Sequence, residues 1–557
     1  MFNKFRMQVE KLCGTRAVHL EVPRNQEADI ALPCFPLAKT LHKDPVKIAS
    51  DIAKEISSKM HGSRLVKSVQ ASGPYVNFYA DWNAIGNEIV RDILKNKENY
   101  GRGKAKEKII VEFAHPNTHK LFHIGHLRNI TVGETLSRIL EFSGSRVIRA
   151  NYQGDVGLHI AKCLYGIRLK GMKKFSSLDE KIRFLGGAYA RGSSLYEEDE
   201  NARKEIIEIN KKLYEKDPKI MKLWKETRKW SLEYFDRIYK RLYTSFDRLY
   251  FESEVAAPGL KIAKQALKKG VLTKSEGALI FDGEKHGLDK RVFVNQLGFP
   301  TYEAKELALA ELEFSEFGKI DKCVHVAGPE QASFFAGTLK VQEQLNPKKF
   351  GGKQFHLVYG WVSLKEGKMS SRLGKVIEGE WLLDELKKEV LEQYLNKQKY
   401  NEKAKSDIAE AIAVAAAKYY MLKIEPVKDI LFDATQAISF EGDTGPYLQY
   451  TYARARSILQ KSRKKPSKKI IFENDEISII KKISGFPWII KKSAHEMKPN
   501  YLAKYLFELA TLFNEFYHAK RVVGTEREEE LLVLVSCVAI VLRTGLGLLG
   551  MKPLERM

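Results

Sequence analysis

Cysteine is scarce and scattered. Cys13, Cys34, Cys163, Cys323 and Cys537 are the five in 557 residues, an odd number with no C-x-x-C pair among them. That excludes a disulfide framework and a cysteine-rich zinc site, and it points to a reducing compartment. A long apolar run is missing too. The most apolar stretch, Leu531–Leu542, reaches Leu549 only by crossing Arg543 and two glycines. It is short for a membrane span and reads as a buried helix of a bundle. Residues 1–10 mix charged and apolar side chains and lack the apolar stretch of a signal peptide. No internal repeat or low-complexity tract interrupts the chain. The expectation is a soluble, cytoplasmic protein with no membrane partner.

Acidic residues are in the minority: 70 Asp and Glu against 94 Lys and Arg give a formal net charge of +24. Such an excess favours a polyanionic partner, nucleic acid or an anionic membrane; a generally basic soluble protein is the plain alternative. Hydrophobic residues at 44% and aromatics at 10% suffice for several cores, and the length suggests three or four domains.

Residues 1–103 read as mixed α and β. Helical periodicity runs over Pro45–Ser58, a turn sits at Ser72-Gly73-Pro74, Tyr75–Tyr79 alternates like a strand, and a helix follows near Asn83–Lys95. Asn96–Lys108 is a linker. Ile109–Val111 then has the continuous apolar character of a strand buried on both faces. A helix over Ile124–Phe142 and a strand over Arg146–Asn151 complete a βαβ unit. Residues 165–290 look like an insertion, with a densely charged helical part from Glu197 to Leu249. Val324–Val326 and His356–Val358 are further strands. Beyond residue 390 the chain is nearly all helical, with Lys461–Lys469 as a solvated basic loop.

Two short segments carry chemistry. His123-Ile124-Gly125-His126 lies between a buried strand and a long helix, where helix N–H groups and the macrodipole favour phosphate. Gly125 lets a flat base approach the backbone, and the two histidines offer donors to a phosphate whose charge grows in a transition state. The bare tetrad is also compatible with two histidines that merely satisfy a helix start. A zinc reading draws on His115, His119, His123 and His126, but Pro116-Asn117 and Gly125 break the helical face it needs, and no cysteine or carboxylate pair completes the ligands. Far downstream, Glu366–Lys375 (Glu-Gly-Lys-Met-Ser-Ser-Arg-Leu-Gly-Lys) is a small basic loop able to close on a triphosphate, with Lys368 as a point charge.

In this order the two segments resemble the HIGH and KMSKS signatures of class I aminoacyl-tRNA synthetases. The wider wording resembles the arginyl family. Pro116–Lys120, His123–Asn129, Asn151–Gly157, Gly73–Phe78, Gly445–Arg456 and the terminal Pro553–Met557 all follow it. The resemblance implies three parts: an α+β domain over 1–103 that contacts the tRNA elbow, a Rossmann-like catalytic domain over 104–390, and a helical-bundle anticodon-binding domain over 391–557. It implies ATP-dependent activation of L-arginine to arginyl-adenylate, then transfer to the 3'-terminal adenosine of arginine tRNA, with activation dependent on bound tRNA. ATP and Mg²⁺ are the implied cofactors, with no protein-bound structural metal, and the implied state is a monomer.

By the same resemblance, His123, His126, Lys120 and Lys368 hold the phosphates, and Gly125 and Ser370 join the ATP site. Glu112, Asn117, Tyr302, Glu306 and Gln331 line the arginine pocket. Tyr302 and Glu306, four apart on one helix face, meet the guanidinium, whose fork fits a carboxylate bidentately. Tyr447, Tyr450, Tyr452, Arg454 and Arg456 offer stacking and phosphate contacts to tRNA. Three departures stand out. Glu306 replaces the family's common Asp. Ser371 stands where the second KMSKS lysine belongs, with Lys120 as the compensating cation. Gly328–Gln331 matches poorly. The rivals are a synthetase for another amino acid, a non-enzymatic RNA-binding relative, and a small-cofactor nucleotidyltransferase, which shares the His-x-Gly-His tetrad.

Overall fold

In the computed structural model, residues 2–23, 28–60, 63–365, 377–396, 398–467 and 469–557 are described. The N-terminal sheet is antiparallel, β1 (Ile30–Pro33), β2 (Val66–Ser72) and β3 (Tyr75–Ala80), in the order β1-β3-β2. Helix Pro45–Lys59 covers it with Ile48, Ala49, Ile52, Ala53 and Ile56, all buried, and starts where the Asp44 side chain accepts the Val46 N–H at 3.0 Å. Helix Trp82–Asn96 is capped likewise by Asp81. This region is packed onto the C-terminal helices. Asn87 exchanges two hydrogen bonds with the Ile470 backbone, at 2.8 and 3.0 Å, and Tyr100 stacks on Phe486.

The catalytic sheet is wholly parallel. It contains β4 (Lys108–Glu112), β5 (Arg146–Gln153), β6 (Arg248–Phe251), β10 (Lys322–Ala327) and β11 (Gln354–Val358), ordered β11-β10-β4-β5-β6. A small antiparallel sheet, β7 (Thr273–Ser275), β8 (Ala278–Phe281) and β9 (Arg291–Val294), precedes helix Tyr302–Glu316 and β10. The chain starts at β4, builds outward to one side, then crosses to the other. The strand order therefore reverses between β4 and β10, where a crevice opens at the carboxyl ends.

The strand β6 lies inside the stretch read from sequence as an insertion. Helices Leu178–Glu198, Glu200–Tyr214 and Pro218–Arg241 are a long crossover between β5 and β6, and their apolar faces join the core under helix Ile124–Phe142. Only the part after β6 departs from the sheet.

The C-terminal region is helical: Glu402–Leu422, Gly445–Lys461, Asn474–Ser484, Phe486–His495, Asn500–Ala519 and Glu528–Leu548. Helix Glu528–Leu548 is long and apolar enough to cross a membrane, but most of it is buried against its neighbours, so apolarity here marks a bundle core. One short parallel pair, β12 (Val362–Leu364) with β13 (Ile430–Phe432), joins the catalytic and helical regions. All five cysteines are buried and unpaired.

Candidate active site

The segment between β4 and helix Ile124–Phe142 is strained. Ala114, His115 and His119 all have positive φ, at 82°, 50° and 65°, and each such non-glycine residue costs about 1–3 kcal/mol. Two side chains and one backbone carbonyl from the resembling motifs hold it in place. The Ala114 N–H donates to Asn129 Oδ1 (2.6 Å), the His115 N–H to Asn151 Oδ1 (3.2 Å), and the Thr118 N–H to the Gly154 carbonyl (2.8 Å). A Cβ on Gly154 would sit 2.1 Å from Asn117 Oδ1, so only glycine allows that approach. Asp155, fully buried, accepts from Arg228 Nε (2.8 Å) and from the Ser253 N–H and Oγ (2.9 and 2.7 Å), bracing β5 against β6.

The strained segment borders a cavity of about 390 Å³, lined by Glu112, Asn117, His123, His126, Tyr302, Glu306 and Gln331 among others. All five residues expected around arginine thus share one cavity with both signature histidines. The two imidazoles stack, with ring centres 3.7 Å apart, and His126 Nδ1 accepts the His123 N–H at 3.1 Å. That leaves the His126 proton on Nε2. Burial, helped by Lys120, lowers His123 to about 4; burial first, then the neighbouring His123, His115 and Lys120, lowers His126 well below the ordinary imidazole value. Both are neutral donors at pH 7. A Cβ on Gly125 would also press on the His123 ring at 3.0 Å.

Lys120 is not among the lining residues; its Nζ lies 5.3 Å from the centre of the Tyr189 ring. Lys368 and Ser370 lie outside the described residues. The chain just beyond them is tied to the signature. The Ile377 carbonyl accepts the Ile124 N–H, and the Gly379 N–H donates to the Phe122 carbonyl, both at 2.9 Å. His119 is a structural residue, its ring nitrogens 3.1 Å from Thr118 Oγ1 and 2.7 Å from Thr227 Oγ1.

Three features escape a sequence reading. Glu313 and His325, both buried, stand behind Glu112 and Glu306. Their signal was a histidine inside an apolar strand and glutamates one heptad apart on a core-facing helix stripe. Burial first, then the charge of Glu112, raises Glu306 to about 8. Arg128, fully buried on the signature helix, donates to four backbone carbonyls: Gly360 and Trp361 (2.8 and 2.9 Å), and Pro426 and Lys428 (2.7 and 2.6 Å). It pins the approach to β12 and the approach to β13 to the helix bearing both histidines.

The expected RNA contacts separate on helix Gly445–Lys461. Tyr450 and Arg454 line an open groove of about 1120 Å³ with Lys461, Tyr517, His518 and Arg521. Arg454 lies over the rings of Tyr450 (4.7 Å) and Tyr517 (5.0 Å). Tyr452 corrects the expectation: it is a core side chain, 1% exposed, donating to Glu555 Oε1 at 2.5 Å, and has no free face for a base. Arg456 is paired with Glu555 (2.6 Å), and Tyr447 is half-buried beside Phe507.

The switch-point crevice with its His-x-Gly-His turn fits a class I aminoacyl-tRNA synthetase catalytic domain, and the matching family model shows that it is one. The family model for "tRNA synthetases class I (R), catalytic domain" matches residues 89–434, that for "Arginyl tRNA synthetase N terminal domain" residues 3–80, and that for "DALR anticodon binding domain" residues 448–557. The chain belongs to the arginyl-tRNA synthetase family, and it is a ligase. It is 32% identical to an arginine–tRNA ligase of Bdellovibrio bacteriovorus, across 96% of this chain and 93% of that one. It is 33% identical to one of Borreliella afzelii, across 94% and 91%. The solved structure of the Thermus thermophilus arginyl-tRNA synthetase covers 99% of this chain and 100% of its own, at 26% identity and TM-score 0.78.

Proposed function

We propose that the cavity of about 390 Å³ is the arginine site of this ligase, with Glu306 and Tyr302 receiving the guanidinium and Glu112 and Asn117 the amino-acid end. ATP, entering as its magnesium complex, lies over His123 and His126, with Lys368 and Ser370 completing the phosphate contacts and Lys120 supplying the second cation. The arginine carboxylate attacks the α-phosphorus and pyrophosphate leaves; the terminal ribose of the tRNA then takes the arginyl group. Little covalent chemistry falls to the protein, so positioning and charge stabilisation do most of the work.

One observation carries the reading. Glu306 lines the cavity and is 2% exposed, and its Oε1 has no hydrogen-bond partner, with His325 Nδ1 standing off at 4.0 Å. A buried carboxylate left unsatisfied calls for a cation, and a planar guanidinium fits it. The groove at Tyr450 and Arg454 supports RNA binding by the helical region. The close packing of residues 1–103 on that region supports a continuous RNA-facing surface along the monomer, with 104–390 and 391–557 as the catalytic and anticodon-binding parts. A cytoplasmic address follows from translation as the setting.

Charging total tRNA with each of several labelled amino acids, in parallel with pyrophosphate exchange lacking tRNA, tests this. The expected result is charging with arginine alone, and exchange only when tRNA is present. Charging of another amino acid overturns the pocket assignment; exchange without tRNA overturns the coupled activation step.

A further inference from the structure

Four hydrogen bonds run in series behind the pocket. Gln342 Nε2 donates to the Glu306 backbone carbonyl at 3.2 Å, and Gln354 Nε2 donates to Gln342 Oε1. His325 Nε2 then faces Gln354 Oε1 at 3.1 Å, and His325 Nδ1 faces Glu112 Oε1 at 3.3 Å. A carbonyl can only accept, so the first bond sets the direction of every amide along the series. His325 Nε2 therefore meets an acceptor and carries a proton, while Nδ1 faces the Glu112 carboxylate; burial lowers the His325 pKa, but the hydrogen bond and charge of Glu112 outweigh it and raise it to about 9, so His325 is a cation.

Burial first, then the charges of Glu112 and Glu306, raises Glu313 well above the ordinary carboxyl range. Glu112 Oε2 and Glu313 Oε1 are also the buried oxygens on these two residues with no ordinary donor. One proton between them satisfies both, as in any pair of carboxyls too close to ionise together.

We propose that Glu313 and His325 set the charge of the arginine pocket. The shared proton and the imidazolium cancel two of the three charges in the buried cluster Glu112, Glu306 and Glu313, and leave Glu306 as the one negative group of that cluster for a single side-chain cation. Both are positioning residues; neither lines the cavity. The inference rests on the cavity being the arginine site.

The other ionisable groups around Glu306 leave the balance of this buried cluster intact, and Glu330, which also lines the cavity, is exposed to solvent. Glu252 is matched by Lys305 at 2.6 Å. Burial holds His115 and His356 neutral, and keeps Tyr152 and Cys323 protonated. Glu306 itself is raised by burial and by Glu112, and drawn back down by His325. Its proton must leave when a guanidinium binds, so arginine affinity falls as pH drops through the Glu306 pKa.

The test is kcat/KM for arginine and for ATP in the complete charging reaction, from pH 6.5 to 9.5, in the wild type, His325→Gln and Glu313→Gln. The wild type is expected to lose about tenfold in kcat/KM for arginine per pH unit below its limb. Removing the imidazolium charge with His325→Gln should move that limb up by about one unit and leave the ATP parameter in place. Glu313→Gln, the neutral isostere of a protonated acid, should leave the limb within about 0.3 unit. An equal loss at every pH for His325→Gln would reduce His325 to packing, and a downward limb shift in Glu313→Gln would mean that Glu313 is ionised. Should the variants fail to fold, calorimetry of arginine binding to the wild type in two buffers of different ionisation heat decides instead. Release of close to one proton per arginine at pH 7 is expected, and none overturns the proposal. A wild type that never charges arginine sinks the site assignment; normal charging with a flat pH profile sinks only this inference.

Discussion

Glu306→Gln should trade function for stability. The amide keeps the shape of the side chain and removes the charge that meets the guanidinium. Breaking one partner of a buried ion pair costs about 3–5 kcal/mol, so the KM for arginine should rise by roughly two to three orders of magnitude. The free protein should gain. Glu306 is 2% exposed, and its pKa rises from the ordinary 4.5 to about 8 on folding. A carboxyl raised on folding lowers stability as pH climbs from its unfolded value to its folded one. At pH 7 the linkage amounts to about 3 kcal/mol, shrinking to about 1 kcal/mol or less at pH 5. Denaturant unfolding of the variant should show that gain and its loss in acid, alongside pyrophosphate exchange with saturating ATP and tRNA. A variant less stable than the wild type across the whole pH range, or a KM increase below tenfold, would refute the reasoning.

Lys368→Ala or His126→Ala should slow adenylate formation by roughly two to three orders of magnitude, about 3–4 kcal/mol, as for the loss of one preorganised donor; single-turnover rates less than fivefold down for both would remove these residues from the chemistry. Tyr450→Ala should raise the KM for tRNA about tenfold through lost stacking, whereas Tyr452→Phe should leave it unchanged and cost about 1 kcal/mol of stability with the Glu555 hydrogen bond; the reverse pattern would put the RNA contact on the wrong tyrosine. Arg128→Met should lower stability by about 3–5 kcal/mol, since four carbonyls lose their donor at once, and an unchanged unfolding midpoint would contradict the clamp.

Local pattern carried much of the architecture. The helix over Ile124–Phe142, the strands at Val324 and His356 and the buried C-terminal helix were all visible as runs of one period. The strand β6 was not: Arg248-Leu-Tyr-Phe251 is four residues long, stands among charged helices, and becomes a strand only by pairing with β5. Glu112, Asn117, His123 and His126, which share the cavity, stood out in the sequence because they lie in or beside motifs of fixed order and spacing. The residues behind them did not, since Glu313 and His325 gain meaning only when helix Tyr302–Glu316 packs across β4 and β10. Tyr452 misled for the matching reason. An aromatic in a basic helix looks the same whether it faces solvent or a core, and the Leu448, Ala455 and Ile458 side of that helix decides it.

The clamp around Arg128 has a consequence for handling the enzyme. Its guanidinium is neutralised by peptide dipoles, and among the described residues no carboxylate forms an ion pair with it. Added salt therefore has no counter-ion to displace there, and acid has no acceptor to protonate. Ionic strength high enough to strip RNA from the proposed groove at Tyr450 and Arg454 should therefore leave the Arg128 contacts in place. A column wash that elutes every nucleotide should thus return the protein with this clamp still closed, even where salt weakens the ion pairs beside it, such as Arg241–Glu410 and Lys365–Asp433.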